Sequence, residues 1–152
     1  PAELTDDTFI LDDTIKHITE KGRKSANLTI FPENTVIFST RAPIGKTAIA
    51  GCPMCCNQGF KNFICSERIN HIYLYYILKN NKDYFTSLGT GTTFKELPKS
   101  KIVKIAISIP PISLQKKFEN FFLQAEQSKQ QLQKSLDNLN ATMRALINEN
   151  LK

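Results

Sequence analysis

The tripeptide Gly45-Lys46-Thr47 closes the stretch VIFSTRAPIGKTAIAG at residues 36 to 51 and carries phosphate-binding chemistry: a turn, an ammonium and a hydroxyl. A nucleotide-binding loop also needs a glycine six positions before the lysine and a helix directly after it, so that backbone amides and a helix N-terminus converge on the phosphates. Thr40 stands at that glycine position, and Gly51 and Pro53 interrupt the chain before two helical turns are complete. GTGTTFKEL at 89 to 97 departs from the pattern too, because Phe94 precedes Lys95 and Glu96 follows it. Nucleotide hydrolysis is therefore set aside. Two polar, basic, glycine-bearing loops remain.

Cys52, Cys55, Cys56 and Cys65 raise the question of zinc, since a C-x2-C turn can present two thiolates to one metal. A structural site usually takes a second pair, however, and Cys65 stands alone in NFIC with no histidine closer than His71. Four free thiols are expected, with neither metal nor other cofactor. His17 and His71 have no triad or metal spacing, and Asp6, Asp7, Asp12 and Asp13 read as a solvated acidic edge. Methyltransferase signatures are missing: no glycine-rich cofactor loop follows a strand, and no Asn-Pro-Pro-aromatic tetrapeptide occurs. The expectation is a protein that is not an enzyme.

Charge is distributed unevenly along the 152 residues. Residues 1 to 20 hold one lysine against six carboxylates, residues 21 to 112 hold thirteen Lys and Arg against four, and the remainder six against four. The basic middle segment is either a solvated lysine surface or an electrostatic footprint for a phosphate backbone. No apolar run approaches a membrane span, and the first residues lack the basic start and apolar core of a signal peptide, so a cytoplasmic protein without a membrane partner is expected. A chain that begins at Pro1 is read as cut from something longer, with part of its first domain absent.

The elements that must position these loops follow from periodicity. TFIL at 8 to 11, VIFS at 36 to 39, TAIA at 47 to 50 and KNFIC at 61 to 65 have strand length and composition, and turn-forming stretches separate them. From Asn70, a plausible cap, NHIYLYYILKNNKDYFTSL reads as helix, with Ile72, Tyr75, Tyr76, Leu78 and Tyr84 or Phe85 inward. Ile105, Ile107 and Ile109 alternate in what reads as a last strand, closed by Pro110 and Pro111. Ser113 is a candidate cap for an uninterrupted helix over residues 114 to 151, which contain no Gly or Pro.

That helix has an explicit heptad seam. Phe118, Ala125, Leu132, Leu139 and Leu146 recur every seven residues, and Phe122, Leu136 and Met143 lie four beyond their predecessors, with breaks at Lys129 and Asn150. At 1.5 Å per residue the rod measures about 57 Å, more than a small domain can cover, so it calls for a partner helix. The fold class is α+β. A small, mostly β globular domain with short helices, residues 1–111, precedes one long C-terminal coiled-coil-forming helix, residues 112–152.

The basic loops suit nucleic acid. STRAPIGK sets Arg41 and Lys46 at the two ends of a loop shaped by Pro43 and Gly45, NQGFK offers Asn57 and Gln58, and GTGTTFK surrounds Lys95 with hydroxyls. Arg, Lys, Asn and Gln make bidentate contacts to base edges, while Thr, Lys and backbone amides fit phosphates. Taken singly, each stretch is as well explained by a turn.

In this order, VIFSTRAPIGKTAIA, NQGF, YLYYILK, GTTFKELPKSKIVKIAISIPP and SLQKKFENFF resemble the type I restriction-modification specificity subunit, at the level of one target recognition domain and the helix behind it. The resemblance covers roughly residues 14 to 151. It implies sequence-specific reading of double-stranded DNA on behalf of methyltransferase and restriction subunits. A full subunit of that family has two recognition domains held apart by two antiparallel helices, so this chain would be half a reader, pairing with itself or with a second half through the seam. A rod of about 57 Å equals roughly 17 base pairs of B-DNA, which suits a ruler. The family's Gly-Gly-Thr-Pro-like opening motif is missing here, which is consistent with an N-terminal truncation. Arg41, Lys46, Asn57, Gln58, Thr92, Thr93 and Lys95 are expected near DNA, with Lys21, Arg23 and Lys24 on phosphates. For GTTFK an architectural or phosphate-facing role ranks above base reading. The competing readings are a coiled-coil interaction protein that binds no DNA and an inactive decoy specificity subunit.

Overall fold

A computed structural model of the chain describes residues 4–5, 7–92 and 95–150, with the side chains of 149 and 150 excluded. Among them the chain divides into a head, Pro1–Gln115, and a second unit, Lys116–Lys152.

The head is built on a four-stranded sheet in the order β1-β3-β2-β4, from β1 (Ile10–Leu11), β2 (Val36–Ser39), β3 (Thr47–Ala50) and β4 (Phe60–Phe63). β2 is antiparallel to both neighbours, with Ile37 opposite Ala48 on one side and Asn62 on the other, while β1 runs parallel to β3. Every residue of β2 and β3 is buried, as strands covered on both faces require. One face packs Ile37, Ala48 and Ala50 against Leu4 and Phe31. On the other, Phe38 meets Phe85 and Phe63 in edge-on ring pairs with centroids 5.2 and 6.3 Å apart.

Helix α2 (His71–Asn80) starts where the sequence places its cap: Asn70 Oδ1 accepts the N–H groups of Ile72 and Tyr73 at 2.9 and 3.1 Å. Its buried face is Ile72, Leu74, Tyr75 and Leu78, so Leu74 replaces Tyr76, which is exposed. The four buried residues form one arc of the helix with Ile72 at its edge, and Tyr76 lies about 40° beyond that edge. The helix stops at Asn81, whose Nδ2 donates to the Ile77 carbonyl, and α3 (Lys82–Ser87) follows with Phe85 buried and Tyr84 exposed.

Three expectations change. The turn-forming stretch EKGRKSAN at 20 to 27, between the first two predicted strands, is not only a turn: α1 (Glu20–Ser25) forms there, because Thr19 Oγ1 accepts the Gly22 N–H and Arg23 pairs with Glu20 one turn earlier. The strand expected over Ile105 to Ile109 does not form. After α4 (Lys99–Ile102) the chain runs irregularly, Ile105 and Ile107 line an apolar cavity of about 470 Å³ with Phe63, Leu74 and Leu78, and the Tyr73 hydroxyl donates to the Ser108 carbonyl. Ile105 and Ile107 are half-buried and Ile109 is exposed, with no ladder to join. Lastly, α5 (Ile112–Asn150) begins one residue before Ser113, and the Pro111 carbonyl accepts the N–H groups of Leu114 and Gln115.

In the second unit α5 is an unbroken helix, and Leu132, Leu136, Leu139, Met143 and Leu146 are each 50–71% exposed. No helix among the described residues is long and apolar enough to cross a membrane.

Candidate nucleic-acid interface

Thr40, the residue after β2, joins three loops. Its N–H donates to the Gly59 carbonyl at 2.8 Å, its hydroxyl donates to the same oxygen at 3.2 Å, and its own carbonyl accepts the Leu97 N–H at 2.8 Å. Thr40 is fully buried, so these bonds fix the loops rather than decorate them. The stretches 40–46, 57–59 and 89–97 therefore meet at one end of the sheet, although Thr40 and Leu97 are more than a third of the chain apart.

Each loop is held internally as well. Ser39, also fully buried, donates its hydroxyl to the Pro43 carbonyl at 2.7 Å and accepts the Lys46 N–H at 2.9 Å, which cinches the first loop around a cis Ala42–Pro43 bond and Gly45 at φ +89°. Asn57 Oδ1 accepts the Gly59 N–H at 2.9 Å, while Gln58 is exposed beside it. Thr90 and Glu96 exchange both backbone hydrogen bonds at 2.8 Å, so Thr92 and Lys95, both exposed, lie on the loop they close. Gly89 is packed so closely on Ile44 that a Cβ there would lie 2.7 Å from its Cδ1. Thr93 lies outside the described residues.

Arg41 crosses between loops: its Nε donates to Glu96 Oε2 at 3.2 Å, with both side chains nearly half exposed. The structure thus brings together Arg41, Lys46, Asn57, Gln58, Thr92 and Lys95. Lys21, Arg23 and Lys24 sit elsewhere. α1 borders a cavity of about 400 Å³ with Asp12, Cys52 and Cys55, beyond the end of β3 that faces away from the loops. There Arg23 grips Glu20 through Nε and Nη2 at 2.8 and 2.7 Å and donates Nη1 to the Leu28 carbonyl at 2.8 Å. The Arg23 guanidinium in turn holds the Glu20 carboxyl below its ordinary range.

Burial pushes the Cys56 and Cys65 thiols up, Cys56 Sγ accepts from Asn62 Nδ2 at 3.0 Å, and Cys52 donates to the Asp12 carbonyl at 3.1 Å. Among the described residues no three His, Cys, Asp or Glu side chains are grouped to hold a metal ion. His17 bonds Asp13 at 2.8 Å on an exposed surface.

Reading the sequence missed Thr40, Glu96 and Gln115. Gln115 is fully buried, accepts the Asn70 N–H at 2.8 Å and donates to the Pro110 and Arg68 carbonyls at 2.7 and 3.1 Å. Its place beside Pro110 and Pro111, at the start of a helix, was the one available signal.

The sequence profile of the type I restriction modification DNA specificity domain matches residues 4–146. The specificity subunit of the type I restriction enzyme MjaIX from Methanocaldococcus jannaschii is 39% identical over 104 residues, which cover 67% of this chain and 24% of the relative. The chain spans a quarter or less of the length of the curated relatives it matches. Among solved structures, one described as the structural basis of complex assembly and conformational transition of the type I R-M system aligns with a TM-score of 0.66 and 21% identity, over 78% of this chain and 29% of that one. The α+β fold with a small sheet and a long C-terminal helix is shared with that neighbour.

Proposed function

This chain belongs to the type I restriction modification DNA specificity domain family, and we propose that it reads one half of a bipartite DNA site for methyltransferase and restriction subunits that supply the catalysis. The observation that carries this reading is the knot at Thr40, which gathers three loops bearing Arg41, Lys46, Gln58 and Lys95 at one end of the sheet. Cations and amides on short loops over a rigid sheet can meet phosphates and base edges together. The recognition domain itself is residues 1–111, and the helix from 112 onward supplies spacing and pairing. The exposed leucines of α5 seat a second half, another copy or a second recognition domain, and methyltransferase subunits dock around the assembly in the cytoplasm.

Replacing Arg41 and Lys46 with alanine together tests the interface. Affinity for duplex, followed by fluorescence anisotropy, is expected to drop about tenfold or more. Unchanged affinity would favour a coiled-coil interaction protein whose head binds no DNA.

A further inference from the structure

We propose that the corner between α2 and α3 binds one phosphodiester group of the DNA backbone, through Lys79 and Lys82, beside the loops that read bases. This rests on the DNA-reading function above and adds a contact that the sequence patterns do not point to. A cavity of about 300 Å³ opens there, bordered by Thr5, Gly45, Thr47, Lys79, Asn80 and Lys82. Gly45 lies in the turn between β2 and β3 and Thr47 opens β3, so the cavity adjoins the loop that carries Arg41 and Lys46. Among the described residues that border it, the charged ones are both lysines.

Both lysines already touch the protein around the cavity. The Lys79 ammonium lies 2.6 Å from the Tyr75 hydroxyl and 5.1 Å from the centre of the Tyr75 ring, and Tyr75 is fully buried. The Lys82 stem crosses Gly45 so closely that a Cβ on that glycine would lie 2.7 Å from Lys82 Cγ. With φ at +89°, position 45 also disfavours any residue with a side chain. The glycine of PIGK, which looked like part of a phosphate loop, instead makes room for a lysine 37 residues later in the chain. A lysine with a fixed stem loses less side-chain freedom on contact than a mobile one, and phosphate contacts of this kind position a reader without specifying bases.

The test uses the full chain with Lys79→Gln, Lys82→Gln and Lys82→Arg, measuring duplex affinity from low to moderate salt. The double variant carrying both Gln changes is expected to reduce the slope of log affinity against log salt by about 0.9, the share of one phosphate, and each single variant by part of that, with the ranking of duplex sequences unchanged. Lys82→Arg is expected to keep the slope, which separates lost charge from lost packing. Slopes unchanged in both Gln variants, while the parent chain binds duplex, would overturn this contact and leave the DNA reading intact. A parent chain that binds no duplex at any salt would overturn both.

Discussion

Gln115 Oε1 accepts the backbone N–H of Asn70 at 2.8 Å, and Asn70 in turn caps α2 with its own side chain. Two residues 45 positions apart thereby tie the start of α2 to the first turn of α5, within the head. Removing this amide leaves the Asn70 N–H and the Pro110 and Arg68 carbonyls short of a partner in a partly buried site. Gln115→Ala is therefore expected to destabilise the head by about 1–3 kcal/mol, measured by urea unfolding. A midpoint equal to that of the parent chain would show the amide to be dispensable.

The Arg41–Glu96 pair predicts the opposite balance. Both partners are nearly half exposed, so the pair contributes less than about 1 kcal/mol to stability. Glu96→Gln removes a carboxylate from the loop cluster, and duplex affinity at low salt is expected to rise for all sequences while thermal stability barely moves. Weaker binding would mean that Glu96 aims Arg41 rather than restraining it.

Lys95 and Gln58 separate phosphate contact from base reading. Lys95→Ala is expected to weaken binding to every duplex and flatten the salt dependence, whereas Gln58→Ala costs about 1–3 kcal/mol on the preferred half-site alone. Parallel titrations of preferred and scrambled duplexes check both outcomes.

How far the sequence disclosed this arrangement depends on the range of the forces involved. VIFS and TAIA are strands at the expected positions, and Asn70 caps α2, because local composition and spacing decide those elements. Ile105 and Ile107 satisfied the strand pattern, yet they pair with no strand and line a cavity with Phe63 instead. Glu20 and Arg23 turned an apparent loop into a helix through a pair that glycine at position 22 obscured. The three loops were each visible as turns. Their meeting at Thr40 was not, since backbone bonds to Gly59 and Leu97 leave no trace in side-chain types.

For the seam, the expected outcome is pairing that depends on leucine. Replacing Leu132 and Leu139, which are 71% and 64% exposed, with Asp is expected to abolish association in sedimentation equilibrium and leave the unfolding of the head unchanged. Identical masses before and after the change would remove the case for a partner helix on this face.

Thiol reactivity offers a check on the head's interior. Because burial raises the Cys56 and Cys65 thiols above 9.0, the stability tied to their protonation is complete below the unfolded thiol's pKa and is lost as pH rises through the folded one. Alkylation of both, followed by mass spectrometry, is expected to show a midpoint at higher pH in the folded chain than in urea. Coincident midpoints would place these thiols in water.

The most direct test of sequence reading is selection from a random duplex library at two salt concentrations, with sequencing of the bound fraction. The account predicts enrichment of a short motif, singly or twice at a fixed spacing, that persists as salt rises. Retention of duplex without any enriched motif would contradict it and reduce the loop cluster to a surface that attracts phosphate alone.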